Sequence, residues 1–93
     1  MSSNLFKRTL KTSENHSQNV IITTQQINAD VNGNPRHKVQ VWVDRENNES
    51  NLWTPFVRGY RLRNNDDSYT VQSWNIKEDI EHFISAFEQS IRA

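Results

Sequence analysis

Two short segments of the 93-residue chain carry the side chains best suited to binding chemistry. One is HKVQVWVD, residues 37–44, and the other is FVRGYRLRNNDDSYTVQSW, residues 56–74. In both, aromatic, basic and amide side chains recur at alternate positions, which is the spacing that places them on one face of a β-strand. The candidate binding residues are Lys38, Gln40, Trp42, Arg61, Arg63, Thr70, Gln72 and Trp74.

These residue types suit the recognition of nucleic acid. Aromatic rings stack on unpaired bases, guanidinium groups hold phosphates, and amides read base edges. A sheet can also enter the major groove of duplex DNA. The pattern therefore predicts a non-catalytic module that binds nucleic acid through an open sheet face.

Two alternatives use the same residues. Trp and Arg are also typical of hot spots in protein interfaces. The chain could therefore be an inhibitor or adaptor that binds a host protein, of the small Asn-rich kind that phages and plasmids encode. A homodimer that joins open faces or edge strands is the third hypothesis.

Catalytic and metal-binding chemistry have little support in the sequence. The three histidines are scattered, and the chain has no nucleophile motif, zinc motif or nucleotide-binding motif. Two glycines are too few for a loop that cradles phosphates, and the absence of cysteine excludes disulfides and thiolate ligands. We expect no enzyme activity, no catalytic residue, no cofactor and no metal site.

The charge of the chain is balanced overall but uneven along its length. Residues 1–63 contain nine Lys and Arg against five Asp and Glu, whereas residues 64–93 contain two against six. This asymmetry predicts a dipole that can orient a charged partner. The neutral balance counts against nucleic acid, because most proteins that bind it are clearly basic.

The sequence shows no targeting segment. The first 19 residues lack an apolar stretch of the kind found in secretory signals. No run of residues approaches the roughly 20 apolar residues of a membrane span. We therefore expect a cytoplasmic protein with no membrane partner.

Alternation and turn residues predict four antiparallel strands, the first two of which lie in residues 19–27 and 37–44. The valines of residues 37–44 share one face, and Lys38, Gln40 and Trp42 share the other. A second hairpin begins near Phe56 and turns at NNDD, residues 64–67. Its register places Tyr60, Leu62, Tyr69 and Val71 inward, and Val57, Arg61, Arg63, Thr70, Gln72 and Trp74 outward.

A helix is predicted over residues 75–93. Asn75 is a good N-cap and Glu78 completes a pattern like a capping box. Apolar residues recur at three- and four-residue spacing, as one stripe formed by Ile80, Phe83, Ile84, Phe87 and Ile91.

These elements predict an α+β domain of order β-β-β-β-α, with an antiparallel sheet of about four strands and one amphipathic C-terminal helix on one face. The domain is expected to span residues 19–93. Residues 1–18 are polar and basic, and we expect them to form a flexible N-terminal arm. One helix covers one face only, so the face with Trp42, Trp74 and the arginines is expected to stay open.

Overall fold

The computed structural model describes residues 3–46, 49–62 and 66–92. In this part of the chain six strands precede one helix. Their bounds are β1 Ser3–Ser13, β2 His16–Ile27, β3 Arg36–Asp44, β4 Ser50–Leu52, β5 Arg61–Leu62, β6 Tyr69–Gln72 and α1 Ile76–Arg92.

All six strands belong to one antiparallel sheet with β3 at its centre. Five strands follow the order β1-β2-β3-β6-β5 across the sheet. The remaining strand, β4, also pairs with β3. The first half of β3 pairs with β6, from Arg36 opposite Gln72 to Val39 opposite Tyr69. The last residues of β3 pair with β4, where Trp42 lies opposite Leu52. The predicted α+β class, with one C-terminal helix on an antiparallel sheet, is confirmed.

The first strand corrects the expectation of a flexible arm over residues 1–18. Residues 3–13 pair with β2 from Ser3 opposite Gln25 to Ser13 opposite His16. Alternate residues of β1 face the helix, and Leu10 is 2% exposed within the core. The prediction failed because this strand has only three apolar residues. Its alternation of inward and outward positions therefore does not appear in the sequence as an alternation of apolar and polar residues.

The second hairpin is shorter than predicted. Leu62 does lie opposite Tyr69, but β5 comprises only Arg61–Leu62, so no strand begins near Phe56. The chain turns before β5, where the Tyr60 N–H donates to the Val57 carbonyl at 3.0 Å and Gly59 adopts a φ of 88°. Val57 was expected to point outward, but this turn directs it into the core, where it is fully buried, and leaves Phe56 80% exposed.

The helix forms as predicted and completes the core. The Asn75 carbonyl accepts hydrogen bonds from the N–H groups of Glu78 and Asp79, which fixes the first turn. Phe83 and Phe87 are fully buried and contact three aromatic rings from the sheet side, those of Trp53, Tyr60 and Tyr69. This aromatic cluster anchors α1 to one face of the sheet.

Candidate functional site

The face of the sheet opposite α1 is the candidate site, and we call it the open face. Strand alternation assigns residues to it, because His37, Val39 and Val41 are buried on the helix side of β3. Their neighbours Arg36, Lys38, Gln40 and Trp42 therefore lie on the open face. By the same alternation, Thr70 and Gln72 of β6 belong to it, since Tyr69 and Val71 are buried.

Three predicted site residues form one row across neighbouring strands. Lys38 lies opposite Thr70, and Thr70 lies opposite Arg61 on its other side. Strands are about 4.8 Å apart, so the backbones of Lys38 and Arg61 are about 10 Å apart. The next row pairs Arg36 with Gln72. These rows bring two arginines and one lysine to the same end of the open face.

A groove lies beside these rows where the chain before β5 separates from β6. Its volume is about 540 Å³, and its wall includes Tyr60, Arg61, Gln72, Arg36 and Asp30. It combines two guanidinium groups with one carboxylate, one amide and one phenol around one concave surface. Such a lining suits an anionic ligand that also offers hydrogen-bond acceptors.

Two carboxylates contact the basic end of the open face. Lys38 Nζ lies 3.6 Å from Asp66 Oδ2, and Gln40 Nε2 donates to the Asp66 carbonyl at 3.1 Å. Gln72 Nε2 donates to Asp30 Oδ2 at 2.6 Å. These contacts orient the three side chains and partly neutralise the charge of Lys38.

Asp30 is itself held by the turn that precedes β3. Its Oδ1 accepts from the N–H groups of Asn32 and Asn34, both at 2.9 Å. Hydrogen bonding from the Asn34 N–H is the main cause that holds the pKa of this carboxyl below its usual value, and the charge of Arg36 adds to it. Asp30 is therefore an ionised structural acceptor at neutral pH.

Trp42 belongs to a different end of the open face. Its Nε1 donates to Thr23 Oγ1 at 3.1 Å, and its cross-strand neighbours are Ile21 and Leu52. Leu5, which lies opposite Thr23 on β1, is 59% exposed. Ile21, Trp42 and Leu52 form one cross-strand row, which ends at Lys7 on β1, and Leu5 lies in the next row. We call the four side chains Leu5, Ile21, Trp42 and Leu52 the apolar patch.

The structure separates two residues that were expected to share a surface. Trp74 follows β6 at a bend and is 80% exposed. Gln72, the last residue of β6, lies opposite Arg36, which is about 20 Å from Trp42 along β3. The chain bends after Gln72, so strand pairing does not place Trp74 beside Trp42. Arg63, which was also predicted as a site residue, lies outside the described residues.

The two sides of the molecule differ in charge. Among described residues, the open face carries Asp44 and is contacted at its basic end by Asp30 and Asp66, against five cations, Lys7, Lys11, Arg36, Lys38 and Arg61. The helix carries Glu78, Asp79, Glu81 and Glu88 against Lys77 and Arg92. The uneven charge along the sequence thus becomes a difference between opposite sides, with the open face more positive.

Sequence reasoning missed the contribution of β1 to this face. Lys7 and Lys11 lie on the open face of β1, whereas Arg8 lies on the helix side, where its guanidinium pairs with Glu81. The signal was present as the alternation of Phe6, Arg8 and Leu10 with Leu5, Lys7 and Lys11, but the polar composition concealed it. Arg36 was missed because it precedes the alternating valines.

A metal site would need three or more His, Asp or Glu side chains close together. Within residues 3–46, 49–62 and 66–92, no three His, Asp or Glu side chains lie together in a geometry that could hold a metal ion. His82 is exposed on α1, whereas His37 is buried at the start of β3. Across the same residues, no helix has the length and apolar character needed to cross a membrane.

Comparison with known proteins found no matching family model, no matching curated protein and no matching solved structure. The function must therefore be inferred from the geometry of this chain.

Proposed function

We propose that this chain is a non-catalytic module that binds nucleic acid through the open face. One observation carries the proposal: Lys38, Thr70 and Arg61 form a single cross-strand row, with Arg36 and Gln72 in the next row. The acidic side chains of α1 lie on the opposite side of the molecule. A polyanion approaching this protein is favoured at the open face and disfavoured at the helix.

Each group of the basic end has a defined task in this proposal. Arg36 and Arg61 border the groove and contact phosphate oxygens, for which a guanidinium offers paired donors. Lys38 exchanges its contact with Asp66 for a phosphate. Thr70 and Gln72 supply hydrogen bonds to sugar or base edges between the cations.

Fluorescence anisotropy with labelled oligonucleotides tests the proposal. Single-stranded DNA, single-stranded RNA and duplex DNA are titrated at several salt concentrations. We expect affinity to fall as salt rises, by roughly 0.9 log units per log of salt for each phosphate neutralised on a duplex. The double substitution Arg36→Ala and Arg61→Ala should weaken binding and reduce the salt slope by up to about two phosphate contacts.

The chain provides a control with the same change in net charge. Lys77 and Arg92 are exposed on the helix side, so the double substitution Lys77→Ala and Arg92→Ala removes two cations away from the open face. Its binding should remain close to that of the parent. Equal loss in both double variants, or binding of none of the three oligonucleotides at low salt, would contradict the proposal.

Protein binding through the apolar patch is the second candidate function. Leu5, Ile21, Trp42 and Leu52 place an indole and three aliphatic side chains on the uncovered side of a sheet, whereas most such groups are buried. An inhibitor or adaptor would use this end of the face. The substitution Leu52→Ser should then remove binding to a protein partner, with little dependence on salt, and leave oligonucleotide binding unchanged.

A further inference from the structure

The outer edge of β1 is a hydrogen-bonding surface that is only half occupied. In an antiparallel ladder, the main-chain groups of alternate residues point to opposite edges. The Lys11 N–H donates to Glu88 Oε2 at 2.9 Å, and the Lys7 carbonyl accepts from Arg8 Nη1 at 2.9 Å. Both groups therefore point away from β2. By alternation, so do the main-chain groups of Ser3, Leu5 and Thr9.

The helix blocks one half of this edge. Glu88 covers the edge at Lys11, and Glu81 pairs with the Arg8 guanidinium that covers the edge at Lys7. Charged side chains that occupy main-chain groups in this way prevent another strand from pairing. Such protection is present at the Lys7 carbonyl and the Lys11 N–H, and is absent, among the described residues, from Ser3, Leu5 and the Lys7 N–H.

The unprotected half also carries apolar side chains. Leu5 is 59% exposed on the open face, and Phe6 is partly buried against the core on the helix side. An exposed strand edge with an adjacent leucine is a template for an added strand. We propose that the occupant is a second copy of this chain, paired antiparallel through residues 3–7 with a two-fold axis at Leu5.

Self-pairing fits the charges of this segment. Centring the pair on Leu5 places Ser3 of one copy opposite Lys7 of the other, so the lysine faces a serine and not its own equivalent. Leu5 faces Leu5 across the axis. The arrangement adds about four main-chain hydrogen bonds without disturbing the contact of Arg8 with the Lys7 carbonyl.

The helices do not obstruct this dimer. Each helix contacts β1 at Arg8, through Glu81, and at Lys11, through Glu88. Antiparallel pairing carries these two regions in opposite directions from the axis. The two sheets then form one continuous sheet, and side chains opposite one another lie on the same face. Both open faces are on the same side of the dimer.

Proline substitution tests the pairing. Leu5→Pro removes an N–H that points to the outer edge, a position where a sheet tolerates proline. Thr9→Pro is the matched control, because it removes an equivalent N–H outside residues 3–7. Sedimentation velocity should be measured up to about 1 mM protein, since a contact of this size falls at the low end of specific interfaces. We expect a dimer for the parent and Thr9→Pro, and at least a tenfold weaker one for Leu5→Pro.

Disulfide trapping tests the register without proline. The chain has no cysteine, so Leu5→Cys and Thr9→Cys each provide a single thiol. At the axis, Cα atoms about 5.5 Å apart are within disulfide range, whereas two copies of residue 9 are about 26 Å apart. Under mild oxidation, Leu5→Cys should form a covalent dimer much faster than Thr9→Cys. Equal rates, or a parent that sediments as a monomer at every concentration, would overturn the proposal.

Discussion

A buried hydroxyl in the centre of the sheet gives the sharpest test of the structure. Thr24 lies on the helix side of β2 and is 2% exposed. Its Oγ1 has no hydrogen-bond partner among the described residues, and its cross-strand neighbours are the fully buried Val39 and, on β1, Asn4. Replacing Thr24 by Val keeps the shape of the side chain and exchanges this hydroxyl for a methyl group.

Thr24→Val should therefore stabilise the protein. A buried polar group without a partner costs about 1–3 kcal/mol, part of which a threonine recovers by local adjustment. We expect the free energy of unfolding to rise by about 1–2 kcal/mol. For a domain of 60–100 residues, each kcal/mol raises Tm by about 4–8 °C.

The adjacent threonine provides the control for this measurement. Thr23 lies on the open face, where its Oγ1 accepts the hydrogen bond from Trp42 Nε1. The same chemical change, Thr23→Val, should lower the free energy of unfolding by about 0.5–1 kcal/mol. Urea unfolding followed by tryptophan fluorescence measures both variants. If Thr24→Val is no more stable than the parent, or both variants shift in the same direction, the assignment of the two faces of β2 is wrong.

Three further predictions concern the core, the tryptophans and the response to alkali. Phe83→Ala or Phe87→Ala should lower the free energy of unfolding by about 3–5 kcal/mol, because both rings are fully buried. A Tm that hardly changes in thermal unfolding would contradict this role in the core. Trp74→Ala should change stability by less than about 0.5 kcal/mol, whereas Trp42→Ala should cost more because its indole is partly buried and hydrogen-bonded; equal Tm values would contradict this. Burial, with a smaller contribution from the charge of Asp67, raises the pKa of Tyr69 far above its usual value of about 10. Folded protein thus holds this proton more tightly than unfolded chain, so the free energy of unfolding should fall as pH rises above about 10, and urea titrations should show a shallower fall for Tyr69→Phe.

The elements with a strong apolar period could be predicted from the sequence. The alternating valines of β3 and the stripe on α1 each identify one buried face, because burial acts on every turn of the helix and every second residue of the strand. The capping residue Asn75 marks the start of α1 for a local reason. These features depend on short-range geometry and need no knowledge of the partner element.

The placement of Val57 could not be predicted in the same way. Between Pro55 and Tyr60 the chain follows a turn with a positive φ at Gly59, so side-chain directions do not alternate. A period of two applied across this turn therefore placed Val57 outward, although it is fully buried.

The separation between Trp42 and the end of β6, which Trp74 follows, depends on long-range pairing. Alternation correctly placed Lys38, Gln40 and Trp42 on one face of β3, but it contains no information about how β3 and β6 are staggered. That stagger is set by which buried residues meet, such as Val39 and Tyr69. A sequence pattern therefore predicted which residues of β3 are outward, but not which outward residues are neighbours.

The order of the elements along the chain has a consequence during synthesis. Strands β1, β2 and β3 form a contiguous meander that is complete at Asp44, but the helix that covers its apolar face ends only at Arg92. At about 5–20 residues per second, the ribosome needs about 2–10 s to add the intervening segment. If the meander pairs before the helix is available, Ile22, Val39 and Val41 lie on an uncovered apolar surface until the 17 residues of α1 have left the ribosome, and aggregation and chaperone binding are then favoured.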